Sequence, residues 1–302
     1  MNQWRSSQKM SSSAKSVLIS GASSGIGQAC AMRLAALGFR VFAGVRNPDN
    51  LEALCRQSVP GVVWVHLDVK NQATIDELAT QLDGLIAEEG LAALVNCAAI
   101  VVTGPVEFLE REPWLEQFEV NFFGAIALTR AMLPFLRQGR GRIVNLSSIS
   151  GRIAPPYFGP YCCSKWALEA VSDVLRVELR KFGISVSVVE PGNTATPLWQ
   201  KARAKSDELF AGWSRSIPER VPGSVWETYQ ADIEAMRRAT EQAAKSAAPI
   251  EPVVAAVCHA ICARKPRTRY PVGIRVRTLF WLCRWLPDRW RDRFVIRILG
   301  LP

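Results

Sequence analysis

Val17-Leu18-Ile19-Ser20-Gly21-Ala22-Ser23-Ser24-Gly25-Ile26-Gly27 is the stretch on which the reading of this chain turns. A short apolar run enters a glycine-rich turn, and Ile26, Cys30, Leu34 and Leu37 then recur at helical spacing. Strand, tight turn and helix in that order make a first βα unit. Glycines in such a turn let backbone N–H groups approach an anion, and the helix start adds a favourable dipole. A pyrophosphate is the ligand this geometry suits. The spacing is G-x-x-x-G-x-G rather than G-x-G-x-x-G, and any tight turn can use glycine, so the turn needs support from the rest of the chain.

That support comes from rhythm. Arg40 to Val45, Val62 to Leu67, Leu91 to Val95, Arg142 to Leu146 and Ile184 to Val189 read as further strands. Between them lie helical patterns over Leu51–Gln57, Ala73–Glu88, Trp114–Leu136 and Tyr161–Phe182, the third expected to stop at Pro134. This βαβα alternation predicts an α/β fold: a doubly wound parallel sheet of the Rossmann kind, with helices on both faces. The rhythm breaks after Pro191. Residues 197–248 are helical in pattern, Glu251 to Ala263 adds a helix, and Thr268 to Val272 a last short strand. The division expected is a disordered Ser-rich leader over 1–15, one domain over 16–273, and a basic, amphipathic, Trp-rich tail over 274–302. The leader lacks the apolar stretch of a secretory signal. No run of about 18 apolar residues reads as a spanning helix.

Composition excludes several classes. With 49% hydrophobic and 21% charged residues, 20 Gly and 18 Pro, the chain is neither disordered nor fibrous. Two histidines, His66 and His259, exclude a multi-histidine metal centre, and no metal site is expected. Eight cysteines in 302 residues, none in a CxxC pair, read as free or buried thiols. The net charge of +10 is unevenly placed: Arg264 to Pro302 carries eleven basic and two acidic side chains, so the body is nearly neutral. The basic balance describes an appendage, and no nucleic-acid partner is expected of the main fold.

Tyr161-Cys162-Cys163-Ser164-Lys165 carries the second chemical signal. Spacing i, i+4 puts a phenol and an ammonium on one helical face. A nearby cation favours phenolate and lowers the phenol from its usual value near 10, as a general acid/base for alcohol–carbonyl exchange requires.

In order and spacing these motifs resemble the short-chain dehydrogenase/reductase family over residues 16–197. Its markers are the turn Ser20–Gly27, Asp68-Val69 after the third strand, Asn96-Cys97-Ala98-Ala99, Asn121, Ser148, Tyr161 with Lys165, and Pro191-Gly192 with Thr196. The resemblance implies an NAD(P)-dependent oxidoreductase acting on CH–OH groups. Tyr161 would exchange the substrate proton and Ser148 would orient the reacting oxygen. Lys165 would lower Tyr161 and hold the nicotinamide ribose, and Asn121 would anchor a relay water. Gly21, Ser23, Ser24, Gly25, Ile26 and Gly27 would form the phosphate turn. Asp68 and Val69 would meet the adenine, Asn96 and Ala98 the adenosine ribose, and Thr194 and Thr196 the carboxamide and phosphates, with Pro191 and Gly192 completing the cofactor-binding set. Ala99 departs from the family, which has glycine there. The second strand ends in Val45-Arg46 rather than an acid, which favours NADP(H) through a 2′-phosphate contact at Arg46 helped by Ser24; NAD(H) stays an alternative.

Residues 197–248 fill the place of the family's substrate lid and are rich in Trp199, Phe210, Trp213, Trp226, Tyr229 and Met236. An apolar ligand is expected. Val186–Asn193 and Thr268–Pro271 are similar to the retinol, steroid and 3-hydroxybutyrate dehydrogenase branch. Retinoid-, steroid- or lipid-like substrates are therefore the first reading, a small hydroxy acid the second, and a non-catalytic cofactor-sensing protein the third. The resemblance further implies a homo-oligomer built on residues 114–136 and 161–182. A cytoplasmic protein is expected. In the tail, Phe280, Trp281, Trp285, Trp290 and Phe294 among arginines suit peripheral membrane contact; closure of the substrate pocket is the competing reading.

Overall fold

The computed structural model describes residues 14–86, 88–219, 221–273 and 285–301, with Val276 and Thr278. Seven strands, β1 (Ser16–Ile19), β2 (Arg40–Val45), β3 (Val62–His66), β4 (Leu91–Asn96), β5 (Arg142–Leu146), β6 (Ser185–Pro191) and β7 (Arg269–Val272), form one sheet. Their order is β3-β2-β1-β4-β5-β6-β7, and every pair is parallel. The direction of winding reverses between β1 and β4, and a crevice opens at the carboxyl ends there.

Strand residues alternate between two cores. Val17 and Ile19 pack with Val41, Ala43 and Val95 under α1 (Gly25–Ala36) and α9 (Glu251–Cys262). Leu18, Phe42 and Leu94 face the other way, under α3 (Gln72–Ile86) and α5 (Gly124–Gln138). Because both faces are covered, these strands are largely apolar, as the sequence pattern showed. α2 (Pro48–Cys55) starts where Asn47 accepts hydrogen bonds from the Asp49 and Asn50 N–H groups, with Pro48 in the first turn.

The long helical region differs from expectation at both ends. It starts earlier, as α4 (Arg111–Phe118), passes through a π-turn at Glu119–Phe123, and continues as α5. Pro134 does not end it: the helix runs on to Gln138. A proline removes one ladder hydrogen bond, but Met132, Phe135 and Leu136 are buried and hold the last turn in place. Burial outweighs the local signal. This region is also long and apolar enough to cross a membrane by composition, yet half of it is buried within the fold.

Past β6, the chain forms α7 (Pro197–Ser216) and α8 (Gly223–Lys245), and α6 (Gly159–Glu178) precedes that strand. In the tail, α10 (Asp288–Leu299) packs on α8. The leader expected over residues 1–15 lies mostly outside the described residues, as do Phe280 and Trp281.

Candidate active site

The glycine turn leaves β1 at the crevice. Gly21 has a φ of +67°, and a Cβ there would lie 2.7 Å from the Ala98 Cα, so neither the backbone conformation nor the space admits a side chain. Ser20, immediately before it, accepts hydrogen bonds from the Cys97 and Ala98 N–H groups at 3.1 and 3.2 Å. The ends of β1 and β4 are thereby locked side by side. A cleft of about 180 Å³ follows. Its wall includes Gly21, Ser23, Ser24, Gly25, Ile26 and Gly27 from the turn and Arg46 from the end of β2. Asp68, Val69, Ala98 and Thr196 of the expected set also line it, as does Ala99. The His66 ring meets the Arg46 backbone carbonyl at 3.1 Å, fixing the chain that carries that guanidinium.

Not every expected cofactor residue reaches this wall. The Asn96 carboxamide, expected beside a ribose, turns inward and donates to Thr129 Oγ1 at 3.0 Å and Asn145 Oδ1 at 2.8 Å. It ties α5 to β5 through its Nδ2. Thr194 is buried, and its hydroxyl donates to the Gly192 carbonyl at 3.2 Å, shaping the turn after β6. Gly192 lines a second cavity, beside Ser148. Pro191 ends β6 in register with Val272.

The tetrad converges around the start of α6. Tyr161 is 4% exposed and hydrogen-bonded to Ser148. Ser148 caps a short 3₁₀ turn, its hydroxyl accepting from the Ser150 N–H. Lys165, 3% exposed, donates to the Leu146 carbonyl at 2.7 Å. Its Nζ lies 5.9 Å from the centre of the Tyr161 ring.

The electrostatics depart from expectation. Burial pushes Tyr161 up to about 12, and the Ser148 hydrogen bond opposes this only in part. Burial also brings Lys165 down to about 8. The tyrosine is not lowered toward neutrality, because removing a phenolate from water outweighs the stabilisation its neighbours supply.

Asn121 sits in the π-turn with its carboxamide fully engaged. Its Oδ1 accepts from the Ile100 N–H at 2.9 Å, and its Nδ2 donates to the Ile100 carbonyl at 3.0 Å and Ser164 Oγ at 3.2 Å. The side chain thereby clamps the segment after β4 onto α6. A partly buried ionic cluster does similar work nearby. Arg152 pairs with Glu190 at 3.0 Å, and Arg269 pairs with Asp173 at 2.7 Å and with Glu169. The Ser148 turn, α6, β6 and β7 are thus tied together, which the sequence pattern did not announce.

The large residues of α7 and α8 divide into two groups. Phe210, Trp226 and Tyr229 pack around Phe108 as a small core of their own. Trp199 instead lies edge-on to Tyr161, with ring centres 6.4 Å apart. With Met236 and Phe158 it lines the cavity beside Ser148 and an adjoining cavity of about 190 Å³ between α7 and α8. Trp213 lines only the latter. His259 meets the Tyr270 hydroxyl at 2.9 Å, at the β7 side of the sheet.

A glycine turn at the crevice, with a buried Ser–Tyr–Lys group beside it, defines an oxidoreductase site on a Rossmann sheet. Comparison with known proteins agrees. Residues 15–207 match the short chain dehydrogenase family. Retinol dehydrogenase 5 of Mus musculus is 34% identical over 99% of this chain and 93% of its own length. The mitochondrial D-beta-hydroxybutyrate dehydrogenase of Bos taurus is 36% identical over 85% of this chain and 76% of its own. A short-chain dehydrogenase from Streptomyces avermitilis superposes with a TM-score of 0.71 at 27% identity, covering 94% of this chain and 95% of the other. The chain belongs to the short-chain dehydrogenase family, whose dehydrogenases act on CH–OH groups.

Proposed function

We propose that this protein moves a hydride between NADP(H) and a carbonyl or alcohol carbon of an apolar, retinoid-, steroid- or lipid-like substrate. The observation carrying the substrate reading is the pair of cavities that meet at Phe158, Trp199 and Met236, one of them walled by Ser148. A bound nicotinamide supplies the hydride chemistry. The cleft fits such a dinucleotide: Gly21 and Gly27 in its turn have no room for a side chain, and it offers Arg46 where a 2′-phosphate would need a cation. Ser148 orients the reacting oxygen, and Tyr161 delivers or removes its proton. Lys165 holds a ribose hydroxyl and the positive charge beside Tyr161. Asn96 and Asn121 position these groups through the protein bonds already described.

A small hydroxy acid would require a free cation for its carboxylate. The cations of the adjoining cavity are engaged, Arg203 with Glu241 at 2.7 Å and Arg237 with Asp207. Turnover assayed across retinoids, steroids and short hydroxy acids, each with both nicotinamide cofactors, tests the reading. Tyr161→Phe is expected to lower turnover at least a hundredfold while leaving cofactor affinity within threefold. Retained turnover would refute the assigned role.

A homo-oligomer is part of the same proposal. Trp166, Val174 and Val177 are exposed along one stripe of α6, and Phe123 is exposed at the start of α5. Such an apolar face suits a second copy. Light scattering at micromolar concentration is expected to show a multiple of the 33.4 kDa chain.

A further inference from the structure

The cleft wall contains one cation that neither its glycine motif nor its β2 end supplies. Lys201 comes from α7, and it lines the cleft together with Pro197 and Leu198. The start of α7 abuts the glycine turn: a Cβ on Gly25 would lie 3.5 Å from Thr196 and 3.6 Å from Pro197. Lys201 is four residues after Pro197, one helical turn or about 6 Å along the axis. A flexible four-carbon stem spans that distance easily. Among the described residues Lys201 has no carboxylate within ion-pair distance, whereas Lys205 in the next turn has two.

The same helix has a second duty. Trp199 and Ala202 pack over Tyr161, and Trp199 with Arg203 and Ser206 lines the substrate-side cavities. Positions 198 and 201 thus face one chamber, and 199, 202, 203 and 206 face the other, as helical periodicity requires. α7 is a shared wall.

We infer that Lys201 is a binding residue for the diphosphate of the dinucleotide, and that this contact couples occupation of the cofactor cleft to closure of α7 over Tyr161. The inference rests on the cofactor reading above. The diphosphate belongs at the glycine turn and the start of α1, where backbone N–H groups and the helix dipole favour an anion. Lys201 adds a charge from the opposite side, so an anion in the cleft draws α7 toward the glycine turn. Trp199 and Ala202 move with it, and the substrate cavity takes its final shape only after the dinucleotide is in place. Arg46 reads the 2′-phosphate and Lys201 reads the diphosphate, so the two cations have separable effects.

The test uses the intact protein, with direct binding and proteolysis as readouts. Equilibrium titration of wild type, Lys201→Met and Lys201→Arg with NADP+ and NAD+ is expected to show a roughly tenfold loss in the Met variant, equal for both dinucleotides, with most of the affinity restored by Arg. Trypsin cutting at Arg203 and Lys205 is expected to slow when wild type is given NADP+, and to slow much less in Lys201→Met at matched saturation. If the Met variant binds both dinucleotides as wild type does, or loses affinity for NADP+ alone, the diphosphate assignment is wrong. If saturated Met variant is protected as fully as wild type, the coupling to α7 is wrong. If wild type binds neither dinucleotide, the cofactor reading fails first, an outcome distinct from the other two.

Discussion

Burial sets the chemistry of the two titratable residues at the heart of the site. Lys165 releases its proton at about 8 in the folded protein and near 10.5 in the unfolded chain. Between those values the unfolded chain binds more protons, so this group's contribution to stability rises with pH across the window. Below pH 8 the folded state carries the full cost of a buried ammonium. Tyr161 acts in the opposite direction, but only above pH 10, where the unfolded phenol ionises and the buried one does not. Lys165→Met should therefore be more stable relative to wild type at pH 7 than at pH 10, the gap closing by about 2–3 kcal/mol. Urea midpoints of both proteins at the two pH values measure it; a gap independent of pH would contradict the assigned burial effect. Arg46 illustrates a different residue-scale effect, since it faces the cleft on a strand end fixed by His66. Arg46→Asp is expected to weaken NADPH binding ten- to a hundredfold, matching a charge-assisted contact of about 1.5–3 kcal/mol, with NADH binding weakened much less. Equal losses for the two would remove the 2′-phosphate contact.

Elements show where the sequence was legible and where it was not. β2 and β5 fall on the residues that the apolar runs marked, because a strand covered on both faces is buried nearly from end to end and is mostly apolar. The glycine turn was equally visible, since the close approach of Ala98 to Gly21 excludes every other residue type. Pro134 misled, because a local breaker is weaker than three buried side chains around it. Asn96 and Asn121 were legible only in part. Their place in the motif was plain, but a carboxamide serves a ribose, a water or a neighbouring strand equally well, and only the fold shows Thr129, Asn145, Ile100 and Ser164 waiting for them. Lys201 stands about one turn past the last cofactor motif, and nothing in the sequence sets it apart from the residues around it. The π-turn clamp gives an element-scale prediction. Asn121→Ala removes three buried hydrogen bonds between the segment after β4 and α6, and should cost about 2–4 kcal/mol in chemical denaturation. A cost below 0.5 kcal/mol would show that the clamp is dispensable.

For the whole molecule, the uneven charge and the tail remain to be joined to the site. The two readings of residues 274–302 meet in the placement of α10. Leu299 lines the cavity beside Ser148, and Val276 lies where a Cβ on Gly192 would collide with it at 2.7 Å. The inner side of the tail therefore forms part of the wall of that cavity. Its outer side is different: Trp285, just before α10, is 71% exposed, and on α10 Trp290 is 63% exposed with Arg289, Arg293 and Arg297 also exposed. Rings of this kind sit at headgroup depth, and each cation contributes about 1 kcal/mol near an anionic surface. A helix of 12 residues is too short to span and suits lying along the interface. We propose that the outer side rests on anionic membrane and brings the mouth of the cavity to a lipid-dissolved substrate. Trp285→Ser with Trp290→Ser should then abolish salt-sensitive co-sedimentation with anionic vesicles while leaving turnover of a soluble substrate unchanged. Leu299→Asp should do the reverse, lowering turnover while vesicle binding persists. If the intact protein ignores vesicles at low salt, the tail serves the pocket alone.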